Sequence, residues 1–134
     1  MNLDAVRAFF EKDRFATESG ITIVSAQPGE AVCRMMATEH HQNAGGAVQG
    51  GAIFTLADFA FAAAANCGGE LTVSINNNIS FLTTARGVEL TAHAVMRRAS
   101  KRICFYDVTV TDELGTLIAT MSVTGYCKGI KIEF

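Results

Sequence analysis

The segment that most constrains the fold runs from Asn43 to Asn66 and has the sequence NAGGAVQGGAIFTLADFAFAAAAN. Gly50 and Gly51 precede a run, Ala52–Ala65, that is apolar except for one threonine and Asp58. The spacing predicts a helix from near Gly50 to the end of this segment. A helix that is apolar nearly all round must be surrounded by other parts of the protein. Because a carboxylate is costly to bury unless it is paired or used, Asp58 needs an explanation.

The rest of the chain is dominated by period-two alternation, which is typical of strands. GITIVSAQPGEAVCRMMAT predicts two strands joined by a turn at Gln27–Glu30, and EHHQNAGGAVQ predicts a loop. Apolar residues at helical spacing predict a short amphipathic helix over Leu3–Phe15. Four more strands are expected after the long helix, arranged as a meander: LTVSINNNISFLTT, VELTAHAVMRRAS, KRICFYDVTVTDE and LGTLIATMSVTGYCK. The pattern is α+β, and it predicts a hotdog fold, a curved antiparallel sheet of about six strands wrapped around one central helix.

Composition fits a single domain over residues 1–134 and suggests a subunit interface. Apolar residues make up 49% of the chain, charged residues only 18%, and the formal net charge is −2. So large an apolar share predicts a large core, a buried interface with another subunit, or both, and it disfavours a monomer. The slightly acidic balance argues against a nucleic-acid partner.

The sequence predicts a cytoplasmic protein without a membrane span. The N-terminal stretch MNLDAVRAFFEKDRF carries charges every few residues and lacks the apolar core of a signal peptide. The run Ala52–Ala65 is too short for a span of ~20 residues and contains Asp58. The four cysteines are widely scattered and form no CxxC pair, so buried free thiols are expected rather than disulfides or a zinc cluster.

A set of motifs in this chain resembles a known family. The motifs are Asn43, Gly46, the pair Gly50–Gly51, the block FTLADFAFAAAAN, and ISFL followed by a glycine-containing turn. From Gln42 to about Tyr126 the sequence resembles the hotdog-fold acyl-CoA thioesterases of the phenylacetate-pathway (PaaI-like) type. The resemblance implies homodimers with paired helices and one continuous sheet, often assembled into homotetramers, with active sites at the dimer interface. No metal or other cofactor is expected, coenzyme A being part of the substrate.

The resemblance also implies roles for single residues. The glycine turn would polarise the thioester carbonyl, Asp58 from the facing subunit would act as general base or nucleophile, and Asn43 would help to place substrate or water. The family usually has a histidine before the glycine pair, where this chain has Gln49. A glutamine amide can donate a hydrogen bond but cannot titrate, so Gln49 is expected to position and not to transfer protons. Related enzymes have a hydroxyl residue at the offset of Asn76, which would help to position water.

The chemistry of these residue types agrees with those roles. Thioester hydrolysis requires stabilisation of the charge on the carbonyl oxygen and a group that attacks the carbon. Gly50 and Gly51 at a helix start supply unpaired N–H groups and the positive end of the helix dipole. Partial burial of Asp58 would raise its pKa and keep a base available near neutral pH. Three features would account for the same residues without catalysis: a tight glycine turn, a turn-forming Asn43, and an Asp58 that lies on a solvated stripe of the helix or makes a structural hydrogen bond across the interface.

The histidines do not predict a metal site. His40 and His41 lack an acidic or cysteine partner at ligand spacing and are expected in a loop near the pocket mouth. His93 lies within a predicted strand, where a structural role is expected. No serine has a GxSxG context, so a Ser-His-Asp triad has no support.

Two clusters of basic residues are candidates for coenzyme A binding. Arg97, Arg98, Lys101 and Arg102 straddle a predicted hairpin turn, and Arg86 ends the segment FLTTARG. The resemblance puts the nucleotide of coenzyme A near the strand-end surface, where these cations would attract its phosphates. A solvated basic turn is the alternative interpretation.

The sequence therefore predicts an acyl-CoA thioesterase that releases a free acid and coenzyme A. An aromatic or medium-chain acyl group is expected, because the apolar helix faces it. A non-catalytic acyl-CoA-binding hotdog protein is the alternative. A hotdog dehydratase or hydratase is a third possibility, although such enzymes rely on a catalytic histidine and the helix motif has none.

Overall fold

A computed structural model describes residues 1–134. The order of elements along the chain is α1 (Leu3–Phe10), α2 (Arg14–Glu18), β1 (Ile21–Gln27), β2 (Glu30–Met36), a 3₁₀ turn (Glu39–His41), α3 (Gly50–Asn66), β3 (Glu70–Phe81), β4 (Glu89–Ala99), β5 (Ile103–Asp112) and β6 (Leu117–Lys131). The six strands form one antiparallel sheet in the order β1-β2-β4-β5-β6-β3. The predicted α+β architecture and the predicted bounds of the long helix are confirmed.

The core forms between α3 and the sheet, because α3 contacts all six strands. Leu56 and Phe61 of α3 pack in one apolar cluster with strand residues such as Leu90 and Val108, and all four are buried. Burying a leucine or phenylalanine side chain contributes about 1.5–3 kcal/mol. Alanines on the buried side of α3 leave little side chain between helix and strands, so the sheet can curve closely around it.

The N-terminal helix predicted over Leu3–Phe15 is in fact two helices. Helix α1 ends at Phe10, and Asp13 starts α2 as its N-cap. The Asp13 side chain accepts a hydrogen bond from the Ala16 amide at 3.1 Å. Aspartate is a preferred N-cap residue with non-helical backbone angles, so it begins a new helix instead of continuing the first one.

The predicted meander of the last four strands is wrong for β3. Strands β4, β5 and β6 are consecutive neighbours, but β3 pairs with β6 and leaves residues 82–88 to carry the chain to β4. Alternation in a sequence tells which face a side chain takes but not which strand lies next to it. As a result β3 is one edge of the sheet and β1 is the other.

The two edges differ in how they are covered. At β1, the Arg7 guanidinium donates to the carbonyls of Ile23 at 3.0 and 3.1 Å and Val24 at 3.2 Å. At β3, the Asn66 side chain accepts a hydrogen bond from the Thr72 amide at 2.7 Å and donates one to the Thr72 carbonyl at 3.0 Å. These bonds cover only the start of the strand. A long uncovered edge strand is a surface on which another chain can pair.

Candidate active site

One stripe of α3 is not covered by the sheet. Gly51 is exposed, and Phe54, Thr55, Asp58 and Ala62 are partly exposed. These residues are three or four apart and therefore lie on the same face of the helix. Asp58 is thus at the edge of the core rather than inside it, which explains how an otherwise apolar helix accommodates a carboxylate.

Asp58 is a half-buried carboxylate without a partner. It takes part in no hydrogen bond or ion pair within the chain. Burial raises the pKa of Asp58 above its ordinary value, and the nearby carboxylate of Asp13 raises it further. Helix α2 lies on this side of α3, because Phe15 of α2 lines a cavity together with Thr55. A carboxylate with a raised pKa and no partner is suited to accept a proton.

Helix α3 begins with two free amides. Gln49 is the N-cap, yet its side chain makes no capping hydrogen bond. Its carbonyl accepts from the amides of Ala52 at 3.0 Å and Ile53 at 3.2 Å, whereas the amides of Gly50 and Gly51 donate no hydrogen bond. Unpaired N–H groups at the positive end of a helix form a site for an oxygen that carries negative charge.

The space around each glycine is limited. A Cβ on Gly50 would lie 3.1 Å from the Phe81 ring, and a Cβ on Gly51 would lie 2.8 Å from Oε1 of Gln49. The Gln49 amide group therefore lies against Gly51, next to one of the free N–H groups. This geometry is compatible with the positioning role expected for Gln49.

Asn43 organises the loop that precedes α3. Its Oδ1 accepts from the amides of Gly45 at 2.9 Å and Ala47 at 3.1 Å, which is the behaviour of a turn-forming asparagine. Its Nδ2 group makes no hydrogen bond within the chain. Asn43, Gly50 and Phe81 line a cavity of about 350 Å³, which we call the loop cavity. The amide nitrogen of Asn43 therefore stays available for a ligand.

A second cavity of about 350 Å³ lies beside the helix start and beneath α2, and we call it the α2 cavity. Its lining residues are Phe15, Ser19, His40, His41, Gln42, Gln49, Gly51, Ala52 and Thr55. Phe15 is 75% exposed, although it is a large apolar side chain. In the sequence Phe15 only marks the end of the predicted N-terminal helix. No local signal relates it to Gly51, because the two are far apart along the chain.

His41 connects α2 to the start of α3. It is buried, and its Nδ1 accepts from the Thr38 amide at 3.0 Å. Its Nε2 lies 2.7 Å from the Ser19 carbonyl, so Nε2 must carry the proton and donate it there. The carbonyl of His41 accepts from the Gln49 amide at 2.7 Å. One residue therefore fixes the end of α2 relative to the glycine pair.

The three asparagines of β3 alternate between the two faces of the strand. Asn76 is exposed and lies opposite Thr124, after a bulge. Asn77 turns to the other face, donates to Ser74 Oγ at 3.1 Å, and has a buried Oδ1 without a partner. The role of Asn76 in positioning water stays a prediction. No sequence pattern singles out Asn77, whose side-chain oxygen is open to a hydrogen-bond donor or water.

The five candidate cations do not form one patch within a chain. Lys101 and Arg102 line a cavity with Ala65, at the C-terminal end of α3. Arg86 belongs to the 82–88 segment, whose residues line cavities with the loop before α3. Because α3 has 17 residues, these two groups are separated by about 25 Å of helix.

The other two cations lie on the sheet near the same hairpin. Arg97 pairs with Asp107 at 3.4 Å, so part of its charge is already matched. Arg98 is exposed and lies opposite Phe105 in the β4–β5 ladder. His93 contacts Glu30 at 2.6 Å across neighbouring strands, which agrees with the structural role expected for it.

Asp112 holds the segment that carries Arg86. Its Oδ2 accepts from the amides of Arg86 and Gly87 at 2.8 Å, and its Oδ1 accepts from those of Leu114 and Thr116 at 3.0 Å. Burial alone would raise the pKa of Asp112, but these amides outweigh burial and hold the pKa well below its usual range. The backbone around Arg86 is therefore fixed.

No group of three or more His, Cys, Asp or Glu side chains is placed to hold a metal ion. Among the helices, none has the length and apolar character needed to cross a membrane. All four cysteines are free; Cys33 and Cys67 are buried, whereas Cys104 and Cys127 are partly exposed.

Known proteins share both the sequence pattern and the fold. The thioesterase superfamily model matches residues 45–119. Acyl-coenzyme A thioesterase PaaI of Escherichia coli (strain K12) is 35% identical over 113 residues, which cover 84% of this chain and 81% of that protein. Acyl-coenzyme A thioesterase 13 of Homo sapiens is 33% identical over 123 residues, covering 87% of this chain and 86% of that protein. The structure of the E. coli PaaI protein from the phenylacetic acid degradation operon matches with a TM-score of 0.89 and 32% identity, over 94% of this chain and 92% of that one.

Proposed function

Because the chain belongs to the thioesterase superfamily and has the hotdog fold of its PaaI-like members, we propose that it hydrolyses acyl-CoA to a free acid and coenzyme A. One observation carries this proposal. The unpaired carboxylate of Asp58 lies on the same open stripe of α3 as the free amide of Gly51. The amide polarises the thioester carbonyl, and the carboxylate supplies the base or nucleophile.

The proposed site needs two copies of the chain. Within one chain Gly51 and Asp58 are separated by two helical turns, about 10 Å along the axis, which is too far for both to act on one carbonyl group. A two-fold related copy with its α3 antiparallel would bring Gly51 of one chain to Asp58 of the other. The open stripe of α3 and the exposed apolar side chains of β3, among them Ile75 and Phe81, support such a homodimer. A homotetramer built from two dimers stays a prediction.

In this composite site the thioester oxygen accepts hydrogen bonds from the amides of Gly51 and Gly50. Asp58 of the second copy takes a proton from water, and the oxygen of that water attacks the carbonyl carbon. Collapse of the tetrahedral intermediate breaks the C–S bond, and the thiolate of coenzyme A takes up the proton. In the alternative path Asp58 attacks directly, and water then hydrolyses the anhydride to the same products. Asn43, Gln49 and Asn76 orient the thioester and the water.

The antiparallel arrangement would also unite the cations. Asn66, at the end of α3, lies eight residues after Asp58, and Asn43 lies eight residues before Gly51. Pairing of Gly51 with Asp58 therefore brings the C-terminal end of one α3 towards the Asn43 loop of the other copy. The hairpin of one chain and the 82–88 segment of the other would then flank one substrate. We propose that the phosphates of coenzyme A bind there, to Arg86, Arg97, Arg98, Lys101 and Arg102.

A cytoplasmic location is part of the proposal. The four thiols are free, including the partly exposed pair Cys104 and Cys127, and a reducing compartment would keep them so.

Substitution of Asp58 tests the proposed hydrolysis. We expect the wild-type protein to release the thiol of coenzyme A from an acyl-CoA, and Asp58→Asn to lower kcat by about 10²–10⁴-fold, because a base or nucleophile is lost. The measurement is thiol release in the presence of a chromogenic thiol reagent. Asp4→Asn, at a side chain that is 91% exposed, is the matched control and should keep activity within about twofold.

Two results would favour the alternatives. Tight binding of acyl-CoA without thiol release that depends on Asp58 would support a non-catalytic binding protein. Hydration of an enoyl-CoA would instead indicate a hydratase.

A further inference from the structure

The glycine pair lies between two cavities. The loop cavity includes Gly50, and the α2 cavity includes Gly51. The carbonyl carbon of a bound thioester has two substituents, the sulfur of the coenzyme A arm and the acyl group, and they diverge from it. With the carbonyl oxygen at the Gly51 amide, the two cavities therefore offer separate spaces for the two halves of the substrate.

The charges around the cavities decide which half goes where. Ala85, the neighbour of Arg86, lines the loop cavity, so the phosphate-bearing arm is drawn to that side. Neither cavity is lined by a lysine or arginine side chain. Arg14, the neighbour of Phe15 in the α2 cavity, is paired with Glu18, whereas Arg86 takes part in no ion pair. The largest apolar side chain of the α2 cavity is Phe15, with 75% of its surface exposed. Contact between an exposed aromatic ring at a cavity wall and another apolar group is favourable, because it removes apolar surface from water.

We propose that the α2 cavity receives the acyl group and that Phe15 determines which acyl groups are accepted. This inference rests on the proposed hydrolysis of acyl-CoA. A volume of about 350 Å³ is at the small end for ligand pockets and suits a compact acyl group, such as one aromatic ring, better than a long fatty chain.

The wall that carries Phe15 is held in place at both ends. His41 donates to the Ser19 carbonyl at 2.7 Å, just beyond the C-terminus of α2. At the other end Asp13 caps the helix through the Ala16 amide at 3.1 Å. Because His41 also accepts from the Gln49 amide, the distance from Phe15 to the glycine pair is set by fixed contacts. A specificity pocket requires such a fixed wall.

The absence of tryptophan from the chain permits a direct binding test. Phe15→Trp introduces a single indole into the α2 cavity. We expect its fluorescence to shift and saturate on titration with S-benzyl-CoA, a thioether that cannot be hydrolysed, and to stay unchanged with coenzyme A alone. Phe134→Trp, at a ring that is 48% exposed and packs against Phe9, is the control and should respond to neither ligand. No shift of Phe15→Trp while calorimetry shows that S-benzyl-CoA binds would overturn the proposal.

Kinetics provide the second test. Phe15→Ala should lower kcat/KM for phenylacetyl-CoA by about tenfold or more and leave acetyl-CoA within about twofold, since only the larger group reaches the ring. Phe134→Ala should change kcat/KM for neither substrate. An equal loss for both substrates, or no loss for either, would contradict the assignment.

The two proposals can fail separately. If hydrolysis depends on Asp58 but the Phe15 variants behave like the controls, only the assignment of the α2 cavity is wrong. Suppose that no acyl-CoA is hydrolysed, and that the fluorescence of Phe15→Trp still responds to S-benzyl-CoA but not to coenzyme A. The cavity then binds acyl groups, and the proposed hydrolysis is wrong.

Discussion

Asp58 and Asp112 are two acidic residues removed from solvent that have opposite surroundings. Asp112 accepts hydrogen bonds from four backbone amides, which keep its pKa low. Asp58 accepts none, and burial followed by the charge of Asp13 raises its pKa. A carboxylate that is retained at a cost to stability is typical of a functional site. The difference between the two could not be read from the sequence, in which both simply follow apolar or β-branched residues.

The raised pKa of Asp58 leads to a prediction about stability. When the pKa of an acid is higher in the folded state than in the unfolded state, its charged form opposes folding. The penalty is absent below the unfolded pKa, near pH 4, and reaches its full size above the folded pKa. Asp58→Asn should therefore raise Tm by about 2–5 °C at pH 8 and leave it unchanged at pH 3, while activity is lost. Thermal unfolding at the two pH values measures this.

Asp112→Asn is the comparison for that experiment. Because the pKa of Asp112 is lowered, its contribution to stability is present above the unfolded pKa and is lost as pH falls towards the folded pKa. Asp112→Asn should thus lower Tm at neutral pH. A fall in Tm for Asp58→Asn at pH 8 would show that Asp58 has a stabilising partner after all.

At the scale of elements, α3 carries different chemistry at its two ends. Free amides, the Asn43 loop and the segment of Arg86 lie at its start, whereas Lys101 and Arg102 lie near its end. The helix itself was predictable from its composition, since an all-apolar helix must be enclosed. The neighbours of β3 and the break before Asp13 were not, because periodicity is a local property and strand pairing is not.

The β4–β5 hairpin can be tested for its role in binding phosphates. Lys101→Glu should raise KM for acyl-CoA by about tenfold at low salt and by less at high salt, because salt screens exposed charges. The same variant should leave the thioester of N-acetylcysteamine unaffected, since that substrate lacks the nucleotide. Lys12→Glu, on the N-terminal side of the chain, controls for the change in net charge. An equal change in KM for both thioesters would exclude a phosphate contact.

At the scale of the whole molecule, the proposed site is complete only when two chains share it. The open stripe of α3 and the uncovered edge of β3 point to the same conclusion as the separation of Gly51 from Asp58. Arg7 blocks the opposite edge at β1, so pairing of sheets is available on one side only.

Mixed dimers test the shared site. Asp58→Asn and Gly51→Val should each be inactive alone, because each removes a different half of every site. Co-expressed in equal amounts, they should regain about a quarter of wild-type activity, since half of the dimers are hybrids with one intact site of two. A mixture of Asp58→Asn with Asp58→Ala should regain none. Failure of the first mixture to recover, with hybrid dimers demonstrated by mass spectrometry, would rule out a site built from two chains.

Local patterns in the sequence were enough to predict most of the helices and strands and the chemical core of the site. The features of the site that could be predicted lie within a few helical turns, where local rules apply. They are the apolar composition of the Gly50–Asn66 segment, the glycine pair and the single carboxylate of Asp58. Tertiary packing places β3 at an edge of the sheet, brings Phe15 and His41 to the start of α3, and puts the cations at opposite ends of α3. These are contacts between distant segments, set by packing and by hydrogen bonds that no local pattern encodes.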